Sequence, residues 1–379
     1  AWTLPARLEN VSSLKSAAAD LTWMFPTRIY GKPLAITEFD YAKPNFFRAE
    51  GGVLPGAYAG LQDWGGLVQF AYSHGSFNIK TDQATGGPFD LASDVVKILS
   101  HRIGVKLFLG REIKPAPVVL AAAFSCPEKM DFSMVPSRDL RNLGLVARLG
   151  TAILPDGTAS REKLPGELGA LLNTGFNFPN GTWDVPVVEA KTYGSDPFRE
   201  LMQKGVLPRD SRSTDGKIFR SAGGQLELDT VRQTFRAKAP GVEVLILPAK
   251  LSGSAEVLTV RNHVGRGVFS LQSVDGRGLR ESERMLFLHL TDSQATLLKF
   301  DNPLVQQYSS WGKPPHLAAR GEAEITLALP DGRYRLYSCD TSGRRLAEVP
   351  LKCSNGNVSF EAKVFRPEGC VFVYELVRE

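Results

Sequence analysis

The three Asp-Gly dipeptides in the second half of the chain, Asp215-Gly216, Asp275-Gly276 and Asp331-Gly332, constrain it more than any other feature. Asp-Gly supplies the positive-φ geometry of tight hairpin turns. The runs between these turns, at 225–229, 242–247, 256–260, 284–290, 334–337 and 371–374, are short, and several alternate apolar with polar residues. A period of two places alternate side chains on one face of a sheet, so everything from about residue 211 onward is expected to be antiparallel β-structure. The economical arrangement is two β-sandwiches, one at 211–310 and a C-terminal one at 311–379.

The chain before this point has a different texture. Apolar spacing predicts a helix over 14–25, a short buried strand at 34–37 after the turn Gly31-Lys32-Pro33, and a helix over 56–64. A second buried strand follows at 67–72. An amphipathic helix over 93–109 then carries Val96, Leu99, Ile103 and Leu107 at steps of three or four. Strand alternating with helix is the rhythm of a parallel α/β fold, here over residues 1–114. Residues 115–210 are rich in Pro and Gly, with a strand expected at 118–124 and a short helix at 140–149. They read as an intermediate α/β or irregular domain.

At 379 residues, 43% hydrophobic and 22% charged, the chain is a soluble globular protein of several domains. Its 45 Lys and Arg against 40 Asp and Glu leave a net charge of +5, with no basic stretch interleaved with aromatics, so no nucleic-acid partner is expected. No run of eighteen apolar residues offers a membrane span. The opening Ala1-Trp2-Thr3-Leu4-Pro5 has no initiator Met and no basic leader, which suggests numbering from an internal or processed point. Cys126, Cys339, Cys353 and Cys370 form no C-x-x-C pair. Buried free thiols are favoured over a single disulfide among the last three.

The candidate chemistry lies where the first strand ends, at Leu34-Ala35-Ile36-Thr37-Glu38-Phe39-Asp40-Tyr41, followed by Pro44-Asn45-Phe46-Phe47 and Arg48. The second strand ends in Tyr72-Ser73-His74-Gly75. Carboxylates and aromatics at adjacent strand ends suit a sugar, whose apolar faces stack while its hydroxyls need acceptors. A lone strand-end Glu is more often a cap or a solvated terminus. Asp90, Asp94 and His101 lie near one helix at spacings that make no metal cage, and neither a metal nor a cofactor is expected. His263 and His289 read as ordinary sheet residues. Trp183, Tyr308 and Trp311 offer sugar-stacking surfaces, against the commoner role of core aromatics.

Residues 30–114 resemble the last two strand–helix units of a clan A glycoside hydrolase (β/α)8 TIM barrel. The Ile36-Thr37-Glu38-Phe39 ending is similar to the strand-seven motif that carries the nucleophile, and the segment from Gly56 to Gly75, with Gln62-Asp63-Trp64, looks like helix seven and strand eight. More loosely, the chain resembles the C-terminal part of large bacterial multidomain β-glycosidases related to β-galactosidases and agarases. The resemblance implies a retaining hydrolase of β-linked glycans or galactosides, in a secreted or periplasmic setting. Glu38 is then the catalytic nucleophile, and Asp40, Asn45, Arg48, Trp64, Tyr72 and His74 contribute to substrate binding. Arg48 and His74 are the candidates for holding the Glu38 carboxylate ionised, a surface salt bridge being the equal alternative for Arg48. The clan's acid/base Glu follows an Asn on strand four. No Asn-Glu dipeptide occurs here, so an N-terminal segment or companion chain is expected to complete the barrel and bring the acid/base. The competing reading is a carbohydrate-binding or scaffolding protein without catalysis.

Overall fold

The computed structural model describes residues 3–82, 85–125, 136–154, 187–189 and 196–379. Cys126 and Trp183 lie outside them. The architecture is mixed, with few helices and extensive antiparallel sheet in the C-terminal part. The strands there build one sandwich. A nine-stranded sheet runs Arg345–Val349, Tyr334–Cys339, Val373–Arg378, Arg284–Leu290, Gly267–Ser273, Val242–Leu247, Thr234–Ala239, Leu226–Asp229 and Ile218–Arg220. The facing five-stranded sheet runs Ser252–Ser254, Leu258–Val264, Glu322–Leu327, Asn357–Lys363 and Leu351–Ser354. This corrects the expectation of separate sandwiches at 211–310 and 311–379. Arg284–Leu290 pairs with Val373–Arg378, and Leu258–Val264 with Glu322–Leu327, so both stretches share both sheets.

The nine-stranded sheet is covered on both faces at its centre. Val242–Leu247 is buried at every residue, as is Gly267–Ser273. Leu245, Leu247, Phe269, Leu271 and Phe287 meet Val260, Ile325, Leu327 and Phe360 across the sandwich. Val242, Val244, Ile246, Val268 and Leu288 instead join the core of the preceding α/β part. A strand buried on both sides has no need to alternate, which explains the unbroken apolar run at 244–247.

Helix α1, Glu50–Gln62, is also buried at every residue, between that sheet and helix α2, Val95–Phe108. Gly52, Gly56 and Gly60 recur every four residues and so share one face. A Cβ on Gly56 would stand 2.5 Å from the Gly104 Cα, and one on Gly104 would stand 2.3 Å from the Gly52 carbonyl oxygen. The backbones touch. Ser100 fixes the crossing, donating from Oγ to the Ala49 carbonyl at 2.6 Å and accepting from the Gly52 N–H at 2.9 Å. At the far end Gln62 donates to the carbonyls of Gly144 and Ala147 and accepts from the Leu149 N–H, tying α1 to a parallel sheet of Arg148–Leu154, Val119–Ser125 and Val187–Glu189.

Strands β1, Ala35–Phe39, and β2, Gly66–Gln69, pair in parallel on either side of α1 in sequence, as the strand–helix rhythm implied. Among the described residues no further strand pairs with either of them, and the outer edges of both are open. Two sequence expectations need correction. The helix over 14–25 is broken into Ser13–Ser16, Ala19–Thr22 and Phe25–Thr27, because Ala17 and Ala18 adopt left-handed backbone with φ of 56° and 51°. The helix over 140–149 stops at Asn142. Gly144 packs on the Phe25 ring, and Arg148–Leu154 is recruited as a strand by Val119–Ser125. Of the thiols, Cys339 is buried as expected, whereas Cys353, on the edge strand Leu351–Ser354, and Cys370, on the short strand Gly369–Cys370, are free and exposed.

The Gly56–Gly104 contact gives a direct test. Gly56→Ala drives a methyl into backbone that cannot rotate away, and is expected to destabilise by about 1–3 kcal/mol. Gly75→Ala, where an added Cβ meets nothing within 4 Å, is expected to stay within about 0.5 kcal/mol of wild type. Chemical denaturation of the two variants checks this.

Candidate functional site

The loops after β1 and β2 lie together at the carboxyl ends of two parallel strands, where α/β folds place ligands. Glu38, on β1, is exposed, and among the described residues nothing hydrogen-bonds or ion-pairs with its carboxylate. Phe39, its neighbour, points into the core at 6% exposure. Alternation along the strand sends the two side chains to opposite faces and divides a solvent-facing acid from an anchoring ring. The main chain continues the pairing past β2, with the Phe70 N–H donating to the Phe39 carbonyl at 2.9 Å.

Asp40 does not face solvent. Its Oδ2 lies 2.5 Å from Lys97 Nζ, both side chains being almost wholly buried, and Lys97 also donates to the Phe89 carbonyl at 3.1 Å. Burial pushes the Asp40 carboxyl up and the Lys97 ammonium down, each opposed by the other's charge. The pair is a strut between the β1 loop and α2, so the substrate-contact role expected of Asp40 has no surface to act through.

Arg48 is likewise buried and fully engaged. It donates to Asp94 at 2.6 Å, to the Asn45 carbonyl at 2.9 Å, and to Asp292 and the Ser293 carbonyl. Burial works against its charge, but Asp94 and Asp292 more than offset this and hold the guanidinium protonated. Asp94 caps α2, accepting from the Val96 and Lys97 N–H groups at 3.1 Å, and Arg48 and Lys43 keep it below the usual carboxylate range despite its burial. Arg48 is therefore no partner of Glu38, nor a surface bridge. It clamps the β1 loop to both α2 and the sandwich.

Asn45 serves the same loop, accepting from the Phe47 N–H at 2.7 Å and donating to the Glu9 carbonyl at 3.2 Å. Trp64 is 4% exposed, packed near Phe25 just before the start of β2, at the end of the strands away from Glu38. It is a core residue, not a cleft residue. On the β2 loop, Tyr72 is 58% exposed. His74 is held by Asp90, with Nδ1 to Oδ1 at 2.6 Å and the His74 N–H donating to the same oxygen at 3.0 Å. Asp90 also accepts from the Gly87 N–H at 2.9 Å and from Asn78. These donors outweigh its burial and lower its pKa. Of the expected contacts, Glu38, Tyr72 and His74 remain available at the mouth; Asp40, Arg48 and Trp64 do not.

Two participants were not visible as such in the sequence. Lys43 Nζ is enclosed, donating to the carbonyls of Thr85 and Ser93 and to Ser93 Oγ at 3.0–3.3 Å. Burial lowers its pKa to about 8, with Arg48 and Lys97 adding to the effect and Asp94 opposing it. Asp292 comes from the sandwich and opens a long hairpin, β3, Ser293–Phe300, and β4, Gln307–Ala318, which lies against these loops. Comparison with family models, with curated proteins and with solved structures finds no match.

Two outcomes follow from this charge network. Arg48→Met leaves Asp94 and Asp292 buried without their cation and is expected to cost about 3–5 kcal/mol in urea unfolding. For Lys43, the unfolded chain stays protonated to about pH 10.4 while the folded state releases its proton near 8. Stability rises with pH wherever the unfolded state binds more protons. Wild type is therefore expected to gain stability relative to Lys43→Met between pH 8 and 10, with a pH-independent difference below pH 7.

Proposed function

We propose that this chain is the C-terminal part of a retaining β-glycoside hydrolase with Glu38 as nucleophile. A preceding segment or companion chain would complete a (β/α)8 barrel around β1 and β2. The observation that carries the reading is the setting of Glu38: an exposed carboxylate at the carboxyl end of a parallel strand, with no partner for the carboxylate or for the strand's outer edge among the described residues. The neighbouring polar groups Asp40, Asn45 and Arg48 are spent on holding the loop.

The surface around the two strands supports the missing partner. Val68 on β2 is 52% exposed, and Ile98 and Val105 of α2 are exposed on one stripe with Leu109 at its C-terminal cap. Beside them an apolar groove of about 210 Å³ is lined by Phe39, Leu67, Val105, Phe108 and Leu109. Open strand edges next to exposed apolar side chains are what a barrel wall presents when its neighbours are removed.

In the completed site Glu38 attacks the anomeric carbon of a β-linked glycan or galactoside, while a carboxylic acid on the added strands protonates the departing oxygen. The same residue, now a carboxylate, takes a proton from water, whose oxygen displaces Glu38 and restores the starting configuration; the two carboxyls stand about 5–5.5 Å apart. Tyr72 and His74 are positioned to contact the sugar, His74 with its ring oriented by Asp90. With the barrel complete, Glu38→Gln is expected to fold normally and to lose turnover by several orders of magnitude. A fluorosugar inactivator should label Glu38, as read by peptide mass spectrometry. Labelling of another residue, or near wild-type turnover by Glu38→Gln, refutes the assignment.

A further inference from the structure

We infer that the β3–β4 hairpin forms an outer wall of the same cleft, with Trp311 a stacking platform for a sugar ring beyond the one at Glu38 and His316 a hydrogen-bonding group beside it. The inference rests on the glycosidase reading for the nature of the ligand and on the hairpin's own geometry for its place.

The hairpin stands apart from both sheets of the sandwich. It forms a separate three-stranded sheet with Ala6–Arg7, and its side chains reach the loop at the carboxyl end of β1. Gln294 donates to the Pro44 carbonyl at 3.0 Å, Phe300 meets the Phe46 ring edge-on at 5.6 Å, and Arg48 grips Asp292 and Ser293 at its base. The arm is thus tied to the loop that follows Glu38 by an ion pair, a hydrogen bond and a ring contact.

The register decides which residues face the loops. Leu298 pairs with Trp311 and Ala295 with His316, and these four border a cavity of about 30 Å³ together with Lys43, Pro44 and Gly86. That volume admits a water and no sugar, so a ring binds over the rim, against the half-buried indole. Tyr308 is wholly buried and meets Trp311 edge-on, with centroids 5.1 Å apart, which stiffens the indole from behind. A braced, half-exposed indole beside an exposed imidazole matches a pyranose, apolar on its faces and hydroxylated at its edge.

Calorimetric titration of the full chain with cellotetraose, agarotetraose and β-1,4-galactotetraose tests this. Binding of at least one is expected, weakened about three- to ten-fold by Trp311→Ala, the range of a single aromatic contact, and largely kept by Trp311→Phe. His316→Ala, at an exposed position that tolerates truncation, should weaken it as well. Failure of all three glycans to bind, or affinities indifferent to both Trp311→Ala and His316→Ala, overturns the inference. Glu38→Gln separates the two readings. Binding that depends on Trp311 and is unchanged in Glu38→Gln upholds the wall even where turnover is absent. Turnover lost in Glu38→Gln with binding indifferent to Trp311 removes the wall and leaves the hydrolase.

Discussion

The central strands of the nine-stranded sheet are buried on both faces, and the rest of the molecule is organised around that fact. An antiparallel sheet with one wet face needs only alternate apolar residues. This one supplies Leu245 and Leu247 to the sandwich and Val242, Val244 and Ile246 to the helical layer. One sheet thus serves two cores, that of the sandwich on one face and that of the α/β part on the other. Helix α1 lies inside that core and can do so because its glycines let α2 approach to backbone contact. The positions of β1 and β2, and of their terminal loops, follow from where α1 and α2 are held.

A second level of fixation is electrostatic. Four charged groups, Arg48 and Asp94 buried and Lys43 and Asp292 partly so, meet between the loops and the hairpin, with Lys97 and Asp40 close by. Removing such charges from water is costly, and the attraction repays it only when every lone pair and proton is engaged. Here the guanidinium bonds two carboxylates and two carbonyls, and Asp94 also caps α2. The network leaves Glu38 as the exposed acid on β1 by enclosing its polar neighbours.

Local features were legible in the sequence. The apolar runs that become β1 and β2, the period of α2, and the antiparallel texture after residue 215 all come from side chains a few positions apart, so the pattern carries them. Long-range partnerships were not legible. Arg48 reads as a mouth residue until Asp292 arrives from 244 positions away. Trp64 and Asp40 look like sugar contacts by type and by proximity to the strands, but which way a residue faces depends on what packs behind it. The two-sandwich expectation failed for the same reason, since turn spacing locates strands without saying which sheet each joins. One local signal was there to be read: Asp94 directly before the apolar period is a helix N-cap, which argues for a structural role.

The proposed hydrolase requires β1 and β2 to be a fragment of a larger parallel sheet. Their outward backbone groups have no partner among the described residues, although the strands sit beside a fully enclosed helix. Site-resolved amide hydrogen exchange on the isolated chain measures this directly. Exchange within Ala35–Phe39 and Gly66–Gln69 should be fast at the outward-facing N–H groups, while Val242–Leu247, paired on both sides, should exchange only with global unfolding. Uniformly slow exchange across β1 and β2, matching the central sheet, would mean that their edges are already satisfied and would contradict the proposal.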